Sequence, residues 1–239
     1  MAVIYFGGCS FSMGAGFDQE IDDHRIYPNI VGSELGYQVI NEAEGGSSNL
    51  KIFIRAAKAL IENVADIYVL QWSALHRHWL YPTPDSGLYL GGSWENTPNS
   101  DFIKRFQQLN HDYGNIMQLI DFCRIIYSMS QMLDRQVIFV NGLLPWTQDL
   151  LCTDLPTSSY VEELLKDLAP EDRQEFKSRI TNNLELLEWQ SWANPWNSMW
   201  DMKIDDAPLD DHPGPETHKL IARNVVDAIR RTQCKKNIH

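Results

Sequence analysis

Two short stretches of this chain hold the residue types that acyl-transfer chemistry requires. The first is Gly7-Gly8-Cys9-Ser10-Phe11-Ser12, which directly follows the apolar run Ala2 to Phe6. A serine placed after two glycines at a strand-to-helix turn presents its hydroxyl to a cleft, and the backbone N–H groups of such a turn can stabilise an oxyanion. A phosphate-binding turn and a plain turn are the alternatives, although GGCSFSMGAG fits neither GxGxxG nor the P-loop spacing and no lysine follows. The second stretch is Pro208-Leu209-Asp210-Asp211-His212-Pro213-Gly214-Pro215-Glu216-Thr217-His218. Serine is a poor nucleophile at neutral pH and needs a base beside it. Histidine titrates near the working pH, and a carboxylate is needed to orient its ring. One loop here supplies both, so the expected roles are Ser10 as nucleophile, His212 as base and Asp210 as the orienting carboxylate. Asp211 stands next in line, and His218 is a second imidazole whose place in the following helix favours a structural role. An acidic turn before a helix is the plainer alternative.

The remaining chain has to bring these two loops together. Ala2 to Phe6 reads as a buried strand, Tyr27 to Leu35 as a helix stopped by Gly36, Tyr37 to Ile40 as a strand, Leu50 to Val64 as a helix, and Ile67 to Trp72 as a fully apolar strand. That β-α-β-α-β order predicts a parallel sheet with helices on its faces. Asp101 to Leu133 reads as a long helix with Asp101 as its N-cap, and Gln136 to Val140 as the next strand. Tyr160 to Leu168, Glu171 to Leu187 (Pro170 in its first turn) and Glu216 to Arg231 complete the helices. Residues 73–100 are expected to form a functional loop insertion or to hold small strands of their own, and residues 141–205 a helical and aromatic cap. Residues 1–239 are read as one domain.

Ligands of an open parallel sheet sit at the carboxyl ends of its strands, so the other strand exits need the same scrutiny. The second exits toward Gly45-Gly46-Ser47-Ser48-Asn49. Paired glycines let a backbone N–H approach a ligand closely; Ser47 or Ser48 suits a helix cap, and Asn49 can cap or donate into the cleft. The third exits through Gln71-Trp72-Ser73 and on to His76-Arg77-His78. Arg77 is a candidate to hold an anionic group. The two histidines lack a nearby set of further ligands, so no metal is expected.

Bulk composition sets the remaining limits. The chain has 239 residues, 44% of them hydrophobic, enough for a large core without staples. Cys9, Cys123, Cys152 and Cys234 are widely spaced and read as free thiols. A net charge of −12 argues against nucleic-acid partners. No apolar run reaches the roughly 20 residues of a membrane span, and the first residues lack a signal-peptide pattern, so a cytoplasmic protein without membrane contact is expected. Eight tryptophans, several in loop regions, suit walls for a planar or sugar-like ligand.

Taken in chain order, these blocks resemble the SGNH (GDSL-like) hydrolase superfamily. Gly8-Cys9-Ser10-Phe11 is similar to its nucleophile block, with Cys9 in the aspartate position, and Gly45 or, preferably, Gly46 matches the glycine that gives an N–H to the oxyanion hole. Asp210-Asp211-His212-Pro213 resembles the Asp-x-x-His-Pro block with one residue fewer. The block that normally supplies an oxyanion asparagine reads Gln71-Trp72-Ser73 instead, leaving Gln71, Ser73 or Asn49 as substitutes. The resemblance implies an α/β fold, a three-layer α/β/α sandwich with a mostly parallel, flavodoxin-like sheet. It implies a serine esterase or deacylase working through an acyl-serine on a small-molecule or glycan-linked ester, with no cofactor. An acyltransferase, a non-hydrolytic ligand-binding protein and an assembly protein with a degenerate site are the rival readings.

Overall fold

The computed structural model describes residues 1–18, 23–74, 77–83, 86–90, 112–142 and 198–236, together with Gln174 and Ala193. Its centre is a four-stranded sheet of β1 (Val3–Gly7), β2 (Gln38–Asn41), β3 (Ile67–Trp72) and the strand Gln136–Asn141, in the order β2-β1-β3-Gln136–Asn141. Every pairing in it is parallel, and Gly7 lies opposite Leu70. Helices α1 (Ser10–Met13), α2 (Tyr27–Leu35), α3 (Asn49–Ile61), α4 (Asp112–Met132) and α5 (Pro215–Lys236) surround it.

Strand alternation explains the three layers. Side chains two apart share a face of a strand. Tyr5, Tyr68, Leu70, Trp72, Val137 and Phe139 point to one side, where they pack with Ile52, Ala56 and Leu60 of α3 and Leu119, Cys123 and Ile126 of α4. Ile4, Phe6, Ile67, Val69, Ile138 and Val140 point to the other, against Tyr27 and Val31 of α2 and Ile221, Val225 and Ile229 of α5. Both faces of β1 and β3 are therefore buried, which is why these strands read as continuous apolar runs. Fully burying one such side chain contributes about 1.5–3 kcal/mol.

The expected α/β sandwich is thus the observed one, and most boundaries fall within a residue or two of the sequence reading. Within residues 73–100, β4 (His78–Thr83) and β5 (Ser86–Leu90) form an antiparallel hairpin, so that stretch holds strands of its own; the strand Gln136–Asn141 is accordingly β6. The long helix is described from Asp112, and the proposed cap at Asp101 lies outside the described residues, as do the expected helices Tyr160 to Leu168 and, apart from Gln174, Glu171 to Leu187. Beyond them, Ala193 N–H bonds the Phe139 carbonyl at 3.0 Å, and Met199 N–H bonds that of Asn141 at 2.8 Å. The returning chain thereby covers the edge of β6, which strand geometry would otherwise leave unpaired. Among the described residues no helix is long and apolar enough to cross a membrane.

Candidate active site

Strand β1 ends at Gly7, and the turn that follows is built around Gly8. A Cβ on Gly8 would meet Ser12 Oγ at 2.5 Å and Gln71 Oε1 at 2.8 Å, so only glycine lets the turn close over Gln71. Cys9 has extended backbone and serves as N-cap of α1, whose first residue is Ser10. The opening N–H groups of a helix have no acceptor inside it, so those of α1 are free to meet a developing negative charge.

Gln71, fully buried at the end of β3, brackets this turn. Its Oε1 accepts from the Cys9 N–H at 3.0 Å and from Ser12 Oγ at 3.0 Å. Its Nε2 donates to the Trp72 carbonyl at 2.8 Å and to Cys9 Sγ at 3.2 Å. Because the Cys9 N–H requires an acceptor, this pattern also fixes which way the amide points. Ser12 Oγ lies 2.5 Å from Tyr27 OH, whose phenol is pushed up by burial, against which the Ser12 hydrogen bond works. Both amide donors of Gln71 are thus engaged, and its role here is to hold the serine turn. Ser10 itself is 8% exposed. Among the described residues the only hydrogen bond of its hydroxyl is a long one to Cys9 Sγ at 3.9 Å.

The loop before α5 brings the second half. Asp206 and Pro213 bridge its base, and the Ala207 N–H bonds the His212 carbonyl at 2.8 Å. The Leu209 N–H bonds the Gly16 carbonyl at 3.0 Å, docking the loop on the chain just past α1. Gly16 has φ +82°, and a Cβ there would collide with Asp210 Oδ1 and Ala207, so this close approach also demands glycine. Asp210 Oδ1 lies 3.0 Å from His212 Nδ1. That same oxygen accepts the His212 backbone N–H at 2.9 Å, and the ring nitrogen has no hydrogen bond. Distance and direction disagree here, and direction decides: the pair is adjacent without being aligned.

Aromatic packing joins the halves. The Phe11 ring meets the His212 ring edge-on at 5.8 Å and stacks against Trp200 at 6.0 Å. Lys203 Nζ sits 4.8 Å from the Trp200 ring centre, pairs with Asp206 at 2.5 Å and donates to the Asp211 carbonyl at 2.6 Å. Asp205 caps α5 from outside the helix, accepting from the Glu216 N–H at 2.9 Å, the Thr217 N–H at 2.8 Å and Thr217 Oγ1 at 2.6 Å. Burial pushes the Asp205 carboxyl up, but these hydrogen bonds outweigh it and leave the group below its usual range.

His218 takes no part in this surface. It is 1% exposed, its Nδ1 accepts the Tyr27 N–H at 2.9 Å, and its ring lies between Phe17 and Tyr27. Burial holds its pKa down, to about 4, so it is a neutral core residue.

The other expected site residues sit at neighbouring strand exits. Gly46 has φ +74° in a turn closed by Ser47 N–H to Glu44 carbonyl at 3.1 Å. The Glu44 N–H bonds the Gly8 carbonyl at 3.2 Å, so this loop lies against the serine turn. The cap of α3 is Ser48, which accepts from the Lys51 N–H at 3.2 Å. Asn49 grips the exit of β3: its Oδ1 accepts the Ser73 N–H at 2.7 Å, and its Nδ2 donates to the Ser73 and Ala74 carbonyls at 3.3 and 3.4 Å. Ser73 Oγ accepts from Arg77 Nη1 at 2.9 Å. Asp210, Asp211 and His212 bring one ligand atom each within 4.8 Å of one another, the described group best placed for a cation, though both carboxylates are exposed. His76 and the tryptophans at 94, 146, 189, 192 and 196 lie outside the described residues.

Sequence reading overlooked Phe11, Lys203 and Asp205. Each acts on partners in another segment, and no local spacing signals that.

The chain matches no protein-family model and no curated protein by sequence. Among solved structures it is similar to a carbohydrate esterase family 2 enzyme with a carbohydrate-binding domain, from Corynascus thermopiles (Myceliophthora fergusii). The TM-score is 0.50 at 14% identity, over 95% of this chain and 65% of that one. An acetyl xylan esterase, Est2A, from the rumen bacterium Butyrivibrio proteoclasticus aligns at TM-score 0.49 and 12% identity, over 97% of this chain and 64% of that one. A lipolytic protein of the G-D-S-L family from Desulfitobacterium hafniense DCB-2 aligns at TM-score 0.46 and 11% identity, over 95% of this chain and 99% of that one. At these identities the likeness is one of fold, and the fold is the α/β arrangement that the SGNH resemblance implies.

Proposed function

We propose that this protein is a serine esterase or deacylase that forms an acyl-Ser10 intermediate on a small or carbohydrate-linked ester. The observation that carries the reading is the meeting of the Phe11 and His212 rings at 5.8 Å, which sets the histidine loop beside the serine turn. Ser10 Oγ attacks the ester carbonyl while His212 takes its proton, and the same proton then leaves with the alcohol. Asp210, whose Oδ1 lies 3.0 Å from His212 Nδ1, orients the ring once its carboxylate turns into line with that nitrogen. The N–H groups of Ser10 and Gly46 receive the oxyanion, neither being used by another hydrogen bond among the described residues. Water then releases the acyl group by the reverse proton path. The carbohydrate esterase with the same fold supports a glycan-linked ester as one substrate class.

An acyltransferase is the second reading, because the same acyl-serine passes to an alcohol when water is excluded. In either reaction the engagement of the Gln71 and Asn49 amides leaves the oxyanion to backbone donors.

Fluorophosphonate labelling of the intact protein, read by mass spectrometry, tests the nucleophile. One adduct on Ser10, absent in Ser10→Ala and His212→Ala, is expected. A folded wild type that takes no adduct overturns the proposal, and so does unchanged ester turnover in Ser10→Ala.

A further inference from the structure

Among the described residues Arg77 is a cation without a counter-ion, in a strongly acidic protein. Its chain carries a net charge of −12, and Arg55, Arg124, Arg135 and Arg230 each pair with a carboxylate, on Glu44, Asp121, Asp66 and Glu34. Among the described residues Arg77 makes no ion pair. Its Nη1 is fixed by Ser73 Oγ at 2.9 Å and its N–H by the Ala74 carbonyl at 3.2 Å, while its Nε is buried and has no acceptor. Arg77 is half-buried, and a buried N–H such as its Nε normally meets an acceptor. Here the side chain is held in place with part of its fork unused.

Its position relates it to the serine. Strands β1 and β3 are paired neighbours with Gly7 opposite Leu70, so Ser10 and Ser73 each stand three residues past a paired position at the same sheet edge. The exits of the two strands are tied to each other and to α3: Gln71 binds Cys9, and Asn49 Oδ1 holds the Ser73 N–H. Adjacent strands lie about 4.8 Å apart, so a group held by Ser73 is within reach of a short molecule bound at Ser10. Arginine suits planar or tetrahedral oxyanions because its fork makes two parallel charge-assisted hydrogen bonds.

We infer that Arg77, held by Ser73, binds a second, anionic group (a carboxylate, sulfate or phosphate) carried on a short arm of the ester that Ser10 attacks. This rests on the esterase reading for the reaction but not for the binding. The test compares 4-nitrophenyl half-esters of succinate, glutarate and adipate with the neutral butyrate, valerate and hexanoate, in wild type, Arg77→Gln and Arg77→Lys. The ratio of kcat/KM for the charged over the neutral ester should favour the charged one at one chain length. It should fall about tenfold or more in Arg77→Gln, with partial recovery in Arg77→Lys. A ratio unchanged by Arg77→Gln overturns the inference. Where Arg77→Gln is unfolded by circular dichroism, Arg77→Lys alone decides, a reduced ratio upholding the inference and an unchanged one overturning it. Thermal unfolding with added glutarate, sulfate or inorganic phosphate gives an arm independent of turnover. A rise in Tm for wild type that vanishes in Arg77→Gln upholds the anion site even where no ester is cleaved and Ser10 takes no label. The anion giving the larger rise identifies the group, and no rise with any of them overturns the site.

Discussion

The two halves of the candidate site are built in opposite ways. The serine half is buried and tightly bonded: a glycine turn closed over the fully buried Gln71, with every polar atom of that amide engaged. The histidine half is a surface loop in which Leu209, Asp210 and Asp211 are exposed, held by Gly16, Lys203 and Asp205 at its margins. The difference fits the tasks proposed for them. A nucleophile must keep its geometry against the oxyanion donors, whereas a base must move its proton and allow alcohol to leave. Preorganised donors cost no reorganisation during the reaction, and a loop at the low-stability end of the structure can adjust.

The comparison breaks most readily at Gln71. Gln71→Leu leaves the Cys9 N–H and one hydroxyl hydrogen of the Ser12–Tyr27 pair unmatched in a closed core, while the Trp72 carbonyl keeps the Gly142 N–H at 3.0 Å. The expected loss of stability is about 3 kcal/mol or more, from about 1–3 kcal/mol per buried group left unmatched. Urea unfolding measures it, and a loss below about 1 kcal/mol would show that the turn does not depend on the bracket. Gln71→Glu retains acceptors for Cys9 and Ser12, so it should recover part of the fluorophosphonate labelling rate that Gln71→Leu loses.

Acid acts on the frame behind both halves through His218. Its folded pKa of about 4 lies below its ordinary 6.5, with burial as the main cause, the Asp205 charge and the Pro213 backbone working against it, and His212 working with it. The unfolded chain therefore binds the extra proton first. Stability is fully present above about pH 6.5 and is lost as pH falls toward 4, by about 3 kcal/mol in all. Unfolding free energies measured from pH 7 to pH 4 should show this slope, and His218→Gln should flatten it. A slope that His218→Gln leaves unchanged would place the titration elsewhere.

How much of this was legible beforehand follows from the range of each interaction. Strands β1 and β3 and helix α2 declare themselves locally, because apolar runs and a glycine stop lie within a few residues of one another. The Ser10 turn and the Asp210-Asp211-His212 loop were visible for the same reason: each is contiguous. Gln71 was singled out as an oxyanion donor, and its part in bracketing Cys9 across 62 positions could not be read from spacing. The same holds for Asp205, whose capping of α5 replaces the local serine or aspartate that a helix start usually shows. The hairpin β4–β5 was left open because its Pro, Gly and aromatic residues fit an irregular loop equally well.

Asp205 gives the next smaller effect. Asp205→Ala removes three hydrogen bonds at the start of α5 and should cost about 1–2 kcal/mol, the usual range for a helix cap. Its pH signature has the same sign as that of His218 and lies at lower pH. A carboxyl held below its usual range stabilises the fold above the unfolded pKa near 4, and the benefit is lost only as pH falls further. Asp205→Asn, which keeps an acceptor and removes the charge, should therefore differ from wild type mainly above pH 4, and equal stability of the two at pH 7 would show that the charge adds nothing to the cap.

Lys203 should show the smallest effect on stability and a separable one on chemistry. Its ion pair with Asp206 is part-exposed, and such pairs contribute about 0–1 kcal/mol. Its position over Trp200, which stacks on Phe11 beside Ser10, links the loop to the serine turn by a second route. Lys203→Met keeps the stem that covers the ring but loses the charge that holds the Asp211 carbonyl. The melting point should move by no more than a few degrees, while kcat for a neutral ester falls about two- to tenfold with little change in KM, because a loosened base costs more in the transition state than in binding. Lys203→Arg, which can still reach the carbonyl, should recover most of that loss. If both variants lower kcat and Tm in proportion, the lysine supports the loop as a whole, and the placement of His212 rests on its contacts with Phe11 and Asp210.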